Sequence, residues 1–384
     1  MRKPFVELEE ELHRNATLQT GLNDFGCADY RSGLKVLLAA LDRDPKLTEI
    51  GYQFAYGMVL GALTARLHTQ QGWAARPDCL KHPIRRPLVI TGIPRTGTTA
   101  LHKLLSMDTQ FQGLEHWLTE APMVRPPRAS WAAHPAFQAS VAGLEAYFKR
   151  MPEMRTAHDI VADEVDECLE VLRQSFISNR FAAAVFVPSY DEWFFAHDER
   201  DSYRCYADVL RLIGANDEDR RWLLKNPGHI AHIEALLMVF PDACIVQTHR
   251  DPIQAIPSLC STLHMARRMF EGDAARPEVL GPRECAYWQR AVDFTAQVRQ
   301  ARPAQFYDVD HRQFHSEPLR TVREIYEYFG LTLSAETEQL MGRRIARNPT
   351  ASHGVHRYSV GSYGVSEQGI RGAFAAYRER HHFA

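Results

Sequence analysis

Lysine is scarce in this chain of 384 residues. There are seven, Lys3, Lys35, Lys46, Lys81, Lys103, Lys149 and Lys225, against 38 arginines, and none follows Lys225. A surplus of positive charge is also missing. Lys and Arg number 45 against 47 Asp and Glu, a net charge of −2, so the basic excess of a nucleic-acid binder is absent. No apolar run approaches the roughly 20 residues that span a bilayer. The opening stretch MRKPFVELEEELH is acidic and has no apolar h-region, so no secretory signal is visible. Cys27, Cys79, Cys168, Cys205, Cys244, Cys260 and Cys285 are scattered, odd in number and form no CxxC pair. That argues against a disulfide framework and for a reducing cytoplasm. Without HxxxH or paired CxxC spacing, no metal is expected, and His311, His315, His381 and His382 read as solvated or structural. Repeats and low-complexity tracts are lacking as well.

What is present is a folding composition, 45% apolar and 10% aromatic, far from disorder. The length admits one large domain or two medium ones. Residues 5–75 read as helical, with Leu34, Leu37, Leu38 and Leu41, then Met58, Leu60, Leu63 and Leu67, at helical intervals. Pro77, Pro83 and Pro87 follow. A boundary near residue 81 divides an N-terminal helical region, 1–80, expected to pack on the core, from a main domain, 81–384. In that domain PLVITG (87–92), RWLLK (221–225) and ACIVQTH (243–249) are short apolar runs of the kind that form buried parallel strands. QFYDV (305–309) is a fourth. Helical stretches at 98–107, 229–240 and 317–329 alternate with them, which predicts an α/β fold with a parallel sheet. Segments 117–160 and 264–284 follow no clean period and read as lids or substrate-facing insertions.

Two loops carry the chemistry. Residues 92–99, GIPRTGTT, have the frame GxxxxGxT between a strand and a helix. Such a loop wraps a phosphate in backbone N–H groups, and the helix N-terminus adds its positive dipole end. Thr99 can donate a hydroxyl hydrogen bond. A nucleotide-hydrolysing loop has lysine where this chain has Thr98, and the cation here is Arg95, which argues against ATP or GTP hydrolysis. A ligand-free glycine turn is the bland alternative. The second loop follows 243–249, where Arg250 precedes Asp251-Pro252 and a helix bearing Ser258. A guanidinium fork at a strand end beside a hydroxyl suits a phosphate. The bland alternative pairs Arg250 with Asp251.

Together PRTGTT (94–99) and THRDPIQAIPSL (248–259) resemble the 5′-phosphosulfate and 3′-phosphate motifs of the sulfotransferases that use 3′-phosphoadenosine 5′-phosphosulfate (PAPS). RWLLKNPGH (221–229) and HRYSVGSYG (356–364) are similar to the bacterial, mycobacterial-type branch of that family. The resemblance covers roughly residues 85–365. It implies a P-loop-like three-layer core with helices flanking the parallel sheet. It implies Arg95, Thr96, Gly97, Thr98 and Thr99 at the phosphate loop, with Arg95 where cytosolic eukaryotic members have lysine. Arg250 and Ser258 fall at the 3′-phosphate, with Arg357 as a further basic contact near the C-terminal end. Lys225 falls where those members place a lysine on the transferring group.

The catalytic histidine of those members has no counterpart here, because its position is Pro227. The candidates for a general base are His229, Glu167 and Glu115. Glu167 lies in the acidic stretch 158–171, where Glu164 and Glu167 are expected on one helical face; a solvated acidic face is the plain alternative. His229 reads equally well as a helix cap. The implied reaction moves a sulfuryl group from PAPS to a hydroxyl of a small-molecule or lipid-like acceptor, with aromatic residues such as Trp117, Trp131 and Phe270 available for an apolar pocket or for the core. A P-loop kinase or NTPase and a catalytically dead nucleotide-binding relative stay open, and homo-oligomerisation is unread.

Overall fold

The apolar runs become strands. The computed structural model describes residues 2–157, 160–347 and 360–383. Its sheet comprises β1 (Leu88–Gly92), β2 (Phe111–Gln112), β3 (Arg221–Lys225), β4 (Cys244–His249) and β5 (Phe306–Asp310). All pair in parallel, in the order β2-β3-β1-β4-β5. β1 and β4 are buried along their whole length. That is why they read as unbroken apolar runs rather than alternating ones, since both faces of a parallel sheet are covered.

By internal contacts the chain falls into two compact units. One comprises Met1–Ile84, Leu114–Asp219 and Met265–Ala275; the other Arg85–Gly113, Arg220–His264 and Arg276–Ala384. The sheet belongs to the second. On one of its faces Leu88, Ile90, Leu223 and Val246 pack with Leu101 and Leu105 of the helix Thr98–Leu105 and with Val322, Ile325 and Phe329 of the helix Pro318–Phe329. The turn Pro227–His232 and the helices Ile233–Val239 and Leu280–Val298 make the second helical layer. Thr295 ties this layer together by donating its hydroxyl to Ile230 O at 2.5 Å.

The first unit is helical. The helix Tyr30–Arg43 buries Leu34, Leu37, Leu38 and Leu41, the predicted stripe. The 27-residue helix Glu49–Ala75 starts at Thr48, whose hydroxyl accepts the Gly51 N–H at 3.1 Å. Among the described residues no helix is long and apolar enough to cross a membrane.

Three features differ from the sequence expectations. β2 is two residues long and leaves no readable period. The crossover at 229–240 opens as a 3-10 turn, where Pro227 and Gly228 disfavour a regular helix. Segments 117–160 and 264–284 are largely helical, as Pro135–Arg150 and the long helix Pro252–Glu271 show. The helix Pro135–Arg150 buries only Ser140 and Phe148, and a face that buries little leaves no hydrophobic period to read.

Parallel pairing sets Gly92 opposite Thr248. Gly92 has φ +144°, and a Cβ there would lie 2.5 Å from Thr248 O. The Gly92→Ala variant should therefore lose about 2 kcal/mol or more of stability in chemical denaturation. A loss below about 0.5 kcal/mol would show that the strand end relaxes freely.

Candidate functional site

β1, β3 and β4 are adjacent, so their C-terminal ends deliver residues 93–97, Asn226 and Arg250 to the same edge of the sheet, where ligands of open α/β sheets bind. The loop after β1 turns through two left-handed residues, Arg95 with φ 70° and Gly97 with φ 92°. Such a conformation is uncommon for a non-glycine residue and needs support. Thr96 supplies it from a fully buried position, with Ile93 O at 2.7 Å and Thr248 Oγ1 at 2.5 Å. Thr248 Oγ1 is also 3.3 Å from Thr91 O. Two hydroxyl hydrogens serve these three contacts. The shorter pair prevails, with Thr248 donating to Thr96 and Thr96 donating to Ile93 O. The Thr96 hydroxyl therefore holds the loop together.

Thr98 is buried in the first turn of the following helix, and Thr99 is exposed beside it. Lys225, at the end of β3 and only 1% exposed, places Nζ 3.3 Å from Thr99 Oγ1. The pairing of Ile90 with Lys225 in the sheet register sets that approach. The second loop closes on the first. Arg95 Nε donates to Ser258 Oγ at 3.2 Å, and Arg250 Nη1 donates to Arg95 O at 3.0 Å. Arg250 Nε also reaches Gln254 Oε1 at 3.3 Å. Asp251 engages Arg378 and the Ile253 N–H. These contacts join Arg95, Arg250 and Ser258 to one another and Lys225 to Thr99.

His229 is fully buried. Burial, with His232 beside it, pushes its pKa down to about 3, so the ring is neutral and weakly basic at ordinary pH. Its backbone N–H bonds Asn226 O at 3.2 Å, and the Asn226 side chain accepts the Gly228 N–H at 3.0 Å, so Asn226 caps this turn. His311, read from the sequence as solvated or structural, follows β5. A Cβ on Gly97 would lie 3.5 Å from His311 Cδ2. Burial, then Arg250 and His315, pushes the His311 pKa down to about 4. Its place just past a strand end was the available signal. Arg357 lies outside the described residues, with His356, Tyr358 and Ser359.

Glu115, Glu164 and Glu167 belong to the helical unit. Residues 164 and 167 share no helix: Val165 makes an antiparallel bridge with Glu115, and the Asp166 N–H donates to Leu114 O at 2.8 Å. Asp166 also accepts the Glu167 N–H at 2.7 Å, a local bond of the kind that competes with helix. The Glu115 carboxylate lies 3.1 Å from the buried Arg125, whose other end meets Asp217 at 2.7 Å. Glu170 bridges Arg180 at 2.7 Å and Arg173 at 3.1 Å. The stretch is an ion-paired layer rather than a solvated face. At its centre His116 Nδ1 sits 2.5 Å from Asp166 Oδ2, with Glu120 3.6 Å from Nε2.

Burial alone would depress the His116 pKa, but the Asp166 and Glu120 carboxylates outweigh it and lift it from 6.5 to about 10. A raised folded-state pKa contributes stability below the unfolded value and loses it as pH climbs toward the folded one. The protein should therefore lose stability between pH 6.5 and about 10, and the His116→Gln variant should lose less over that window. Denaturant midpoints measured across it check this. Parallel curves for the two proteins would show that His116 carries no proton there.

Comparison with known proteins agrees with this geometry. The model of the sulfotransferase family matches residues 87–335. The structure superposes on the sulfotransferase STF1 of Mycobacterium tuberculosis H37Rv with a TM-score of 0.87 and 37% identity, covering 97% of this chain and 100% of that one. STF9 of Mycobacterium avium gives 0.85 and 26%, covering 97% and 96%. The ω-hydroxy-β-dihydromenaquinone-9 sulfotransferase Stf3 of Mycobacterium bovis is 25% identical over 256 residues, 64% of this chain. The match spans 63% of that relative's length. A family match over well over half the chain establishes that the chain belongs to the sulfotransferase family.

Proposed function

We propose that this sulfotransferase takes its sulfuryl group from PAPS and passes it to a hydroxyl of a small-molecule or lipid-like acceptor, releasing 3′,5′-ADP without a metal. The observation that supports this most is the junction of the two anion loops. Arg95 Nε lies on Ser258 Oγ and Arg250 Nη1 on Arg95 O, at 3.2 and 3.0 Å. Two guanidinium groups and a serine hydroxyl at the end of a central sheet suit a nucleotide with phosphates at both its 5′ and 3′ positions. Residues 81–384 carry this machinery in the proposal, and the scattered cysteines favour the cytoplasm.

In sulfuryl transfer the acceptor oxygen bonds sulfur as the bridging S–O bond to the phosphate breaks. Negative charge then grows on the leaving phosphate oxygens. Fixed cations and amides at those oxygens supply most of the catalysis. We assign that work to Arg95, Lys225 and the backbone N–H groups of Gly97, Thr98 and Thr99, with Thr96 bracing the loop. Lys225 suits the moving group because an ammonium on a flexible stem can follow it. Arg250 and Ser258, with Arg357, are assigned to the 3′-phosphate.

The acceptor hydroxyl benefits from a base, worth roughly 10²–10⁴-fold. With its pKa near 3, His229 is ill suited, and the Glu115 carboxylate is engaged by Arg125. Our assignment is Glu167, on the resemblance to bacterial members. The relative named for an ω-hydroxy-β-dihydromenaquinone-9 acceptor supports a lipid-like hydroxyl substrate.

Release of 3′,5′-ADP from PAPS, followed with a panel of hydroxylated acceptors in EDTA, tests the activity. Turnover is expected, whereas nucleotide binding with none on any acceptor would mark a catalytically dead relative. Arg250→Ala should weaken 3′,5′-ADP binding by about tenfold or more, since hydrogen bonds to charged groups are worth about 1.5–3 kcal/mol; unchanged affinity would remove Arg250 from the site. Lys225→Ala should lower kcat more than it lowers nucleotide affinity, and equal losses would make Lys225 a plain binding residue.

A further inference from the structure

The helix Ala375–Arg380 ties down the segment that carries Arg250. Tyr377 Oη lies 2.9 Å from His249 Nδ1 and accepts the backbone N–H of Arg250. The Asp308 carboxylate fixes the direction of a hydrogen-bond chain. It can only accept, so His249 Nε2 donates to Asp308 Oδ1 at 2.8 Å, and Nδ1 of the neutral ring accepts the phenol hydrogen of Tyr377. Arg299 grips the same carboxylate with both Nη atoms, at 2.8 and 2.9 Å. His249 is buried, and burial outweighs Asp308 to hold its pKa below the ordinary value, as the neutral tautomer requires. His381 stacks on the His249 ring at 3.7 Å and 20°.

The neighbouring residue is held from the same helix. Arg378 Nη1 bonds Asp251 Oδ1, the oxygen that accepts the Ile253 N–H at 3.1 Å at the start of the helix Pro252–Glu271. Arg378 and Tyr377 are both buried. Residues 249, 250 and 251 are thus each gripped by 377, 378 or 381. The half-buried Arg250 side chain extends from this fixed backbone to Arg95 O.

We infer that Tyr377 and Arg378 are positioning residues of the nucleotide site, acting through the backbone of 249–251 to aim the Arg250 guanidinium at the ligand's 3′-phosphate. The inference rests on the nucleotide reading proposed above. A residue that acts through Arg250 matters only to ligands bearing the group Arg250 binds. A residue that merely stabilises the fold would affect every nucleotide alike.

Calorimetric titration of Tyr377→Phe with 3′,5′-ADP and with 5′-AMP, which lacks the 3′-phosphate, separates the two. Affinity for 3′,5′-ADP should fall about tenfold, the scale of lost hydrogen bonds. Affinity for 5′-AMP should stay within about twofold, and adding Tyr377→Phe to Arg250→Ala should cost nothing further, as coupled sites behave. Arg378→Met, measured in the same way, serves if Tyr377→Phe does not fold. Equal losses on both nucleotides, or an undiminished affinity for 3′,5′-ADP, overturn the inference. If Arg250→Ala itself binds 3′,5′-ADP normally, the nucleotide reading fails and takes the inference with it. If Arg250→Ala loses affinity while the Tyr377 and Arg378 variants keep it, only the positioning role fails.

Discussion

The approach of Gly92 to Thr248 governs where the loops bearing Arg95 and Arg250 begin. β1 and β4 run side by side in register, and their ends meet with no room for a side chain between them. From that meeting point β1 turns into the loop bearing Arg95, and β4 continues two residues to Arg250. The Thr96–Thr248 hydroxyl contact repeats the tie one step further out. Loops that started further apart would not bring Arg95 Nε to Ser258 or Arg250 Nη1 to Arg95 O. Sheet register thus places Arg250 against the loop that carries Arg95.

Burial then sorts the ionisable groups by role. Lys225 is almost fully buried yet lies at a strand end, with Nζ 3.3 Å from the exposed Thr99 Oγ1. His229 is buried just past the same strand end, with its ring proton affinity suppressed. In the helical unit burial works against His116 and loses to its carboxylate partners. For these two histidines the outcome depends on whether an opposite charge lies within hydrogen-bond reach.

Much of this was legible in the sequence. The strands β1, β3 and β4 were readable because burial gives each a short apolar core, and β5 because it alternates buried and less buried residues; the two loops were readable because glycine, arginine and hydroxyl residues sit at strand ends in fixed spacing. β2 is too short to carry a period, and the helix Pro135–Arg150 too exposed to show one. Glu164 and Glu167 were expected on a helix; the Asp166 side chain and the bridge to Glu115 draw them into an extended segment instead. Tyr377 had no local signal at all, because its partner is 128 residues away and only the fold brings them together. The scarcity of lysine did point somewhere: the last one in the chain lies 3.3 Å from Thr99, in the loop 92–99.

The central claim is that the two loops form a single site for a nucleotide carrying a 3′-phosphate. Calorimetric titration of the unaltered protein in EDTA with 3′,5′-ADP, and then with ATP in the presence and absence of magnesium, tests it most directly. The account predicts saturable binding of 3′,5′-ADP without magnesium, and tighter binding than of ATP under either condition. Magnesium-dependent binding of ATP with none of 3′,5′-ADP would contradict it and return the loop at 92–99 to the nucleotide kinases and NTPases.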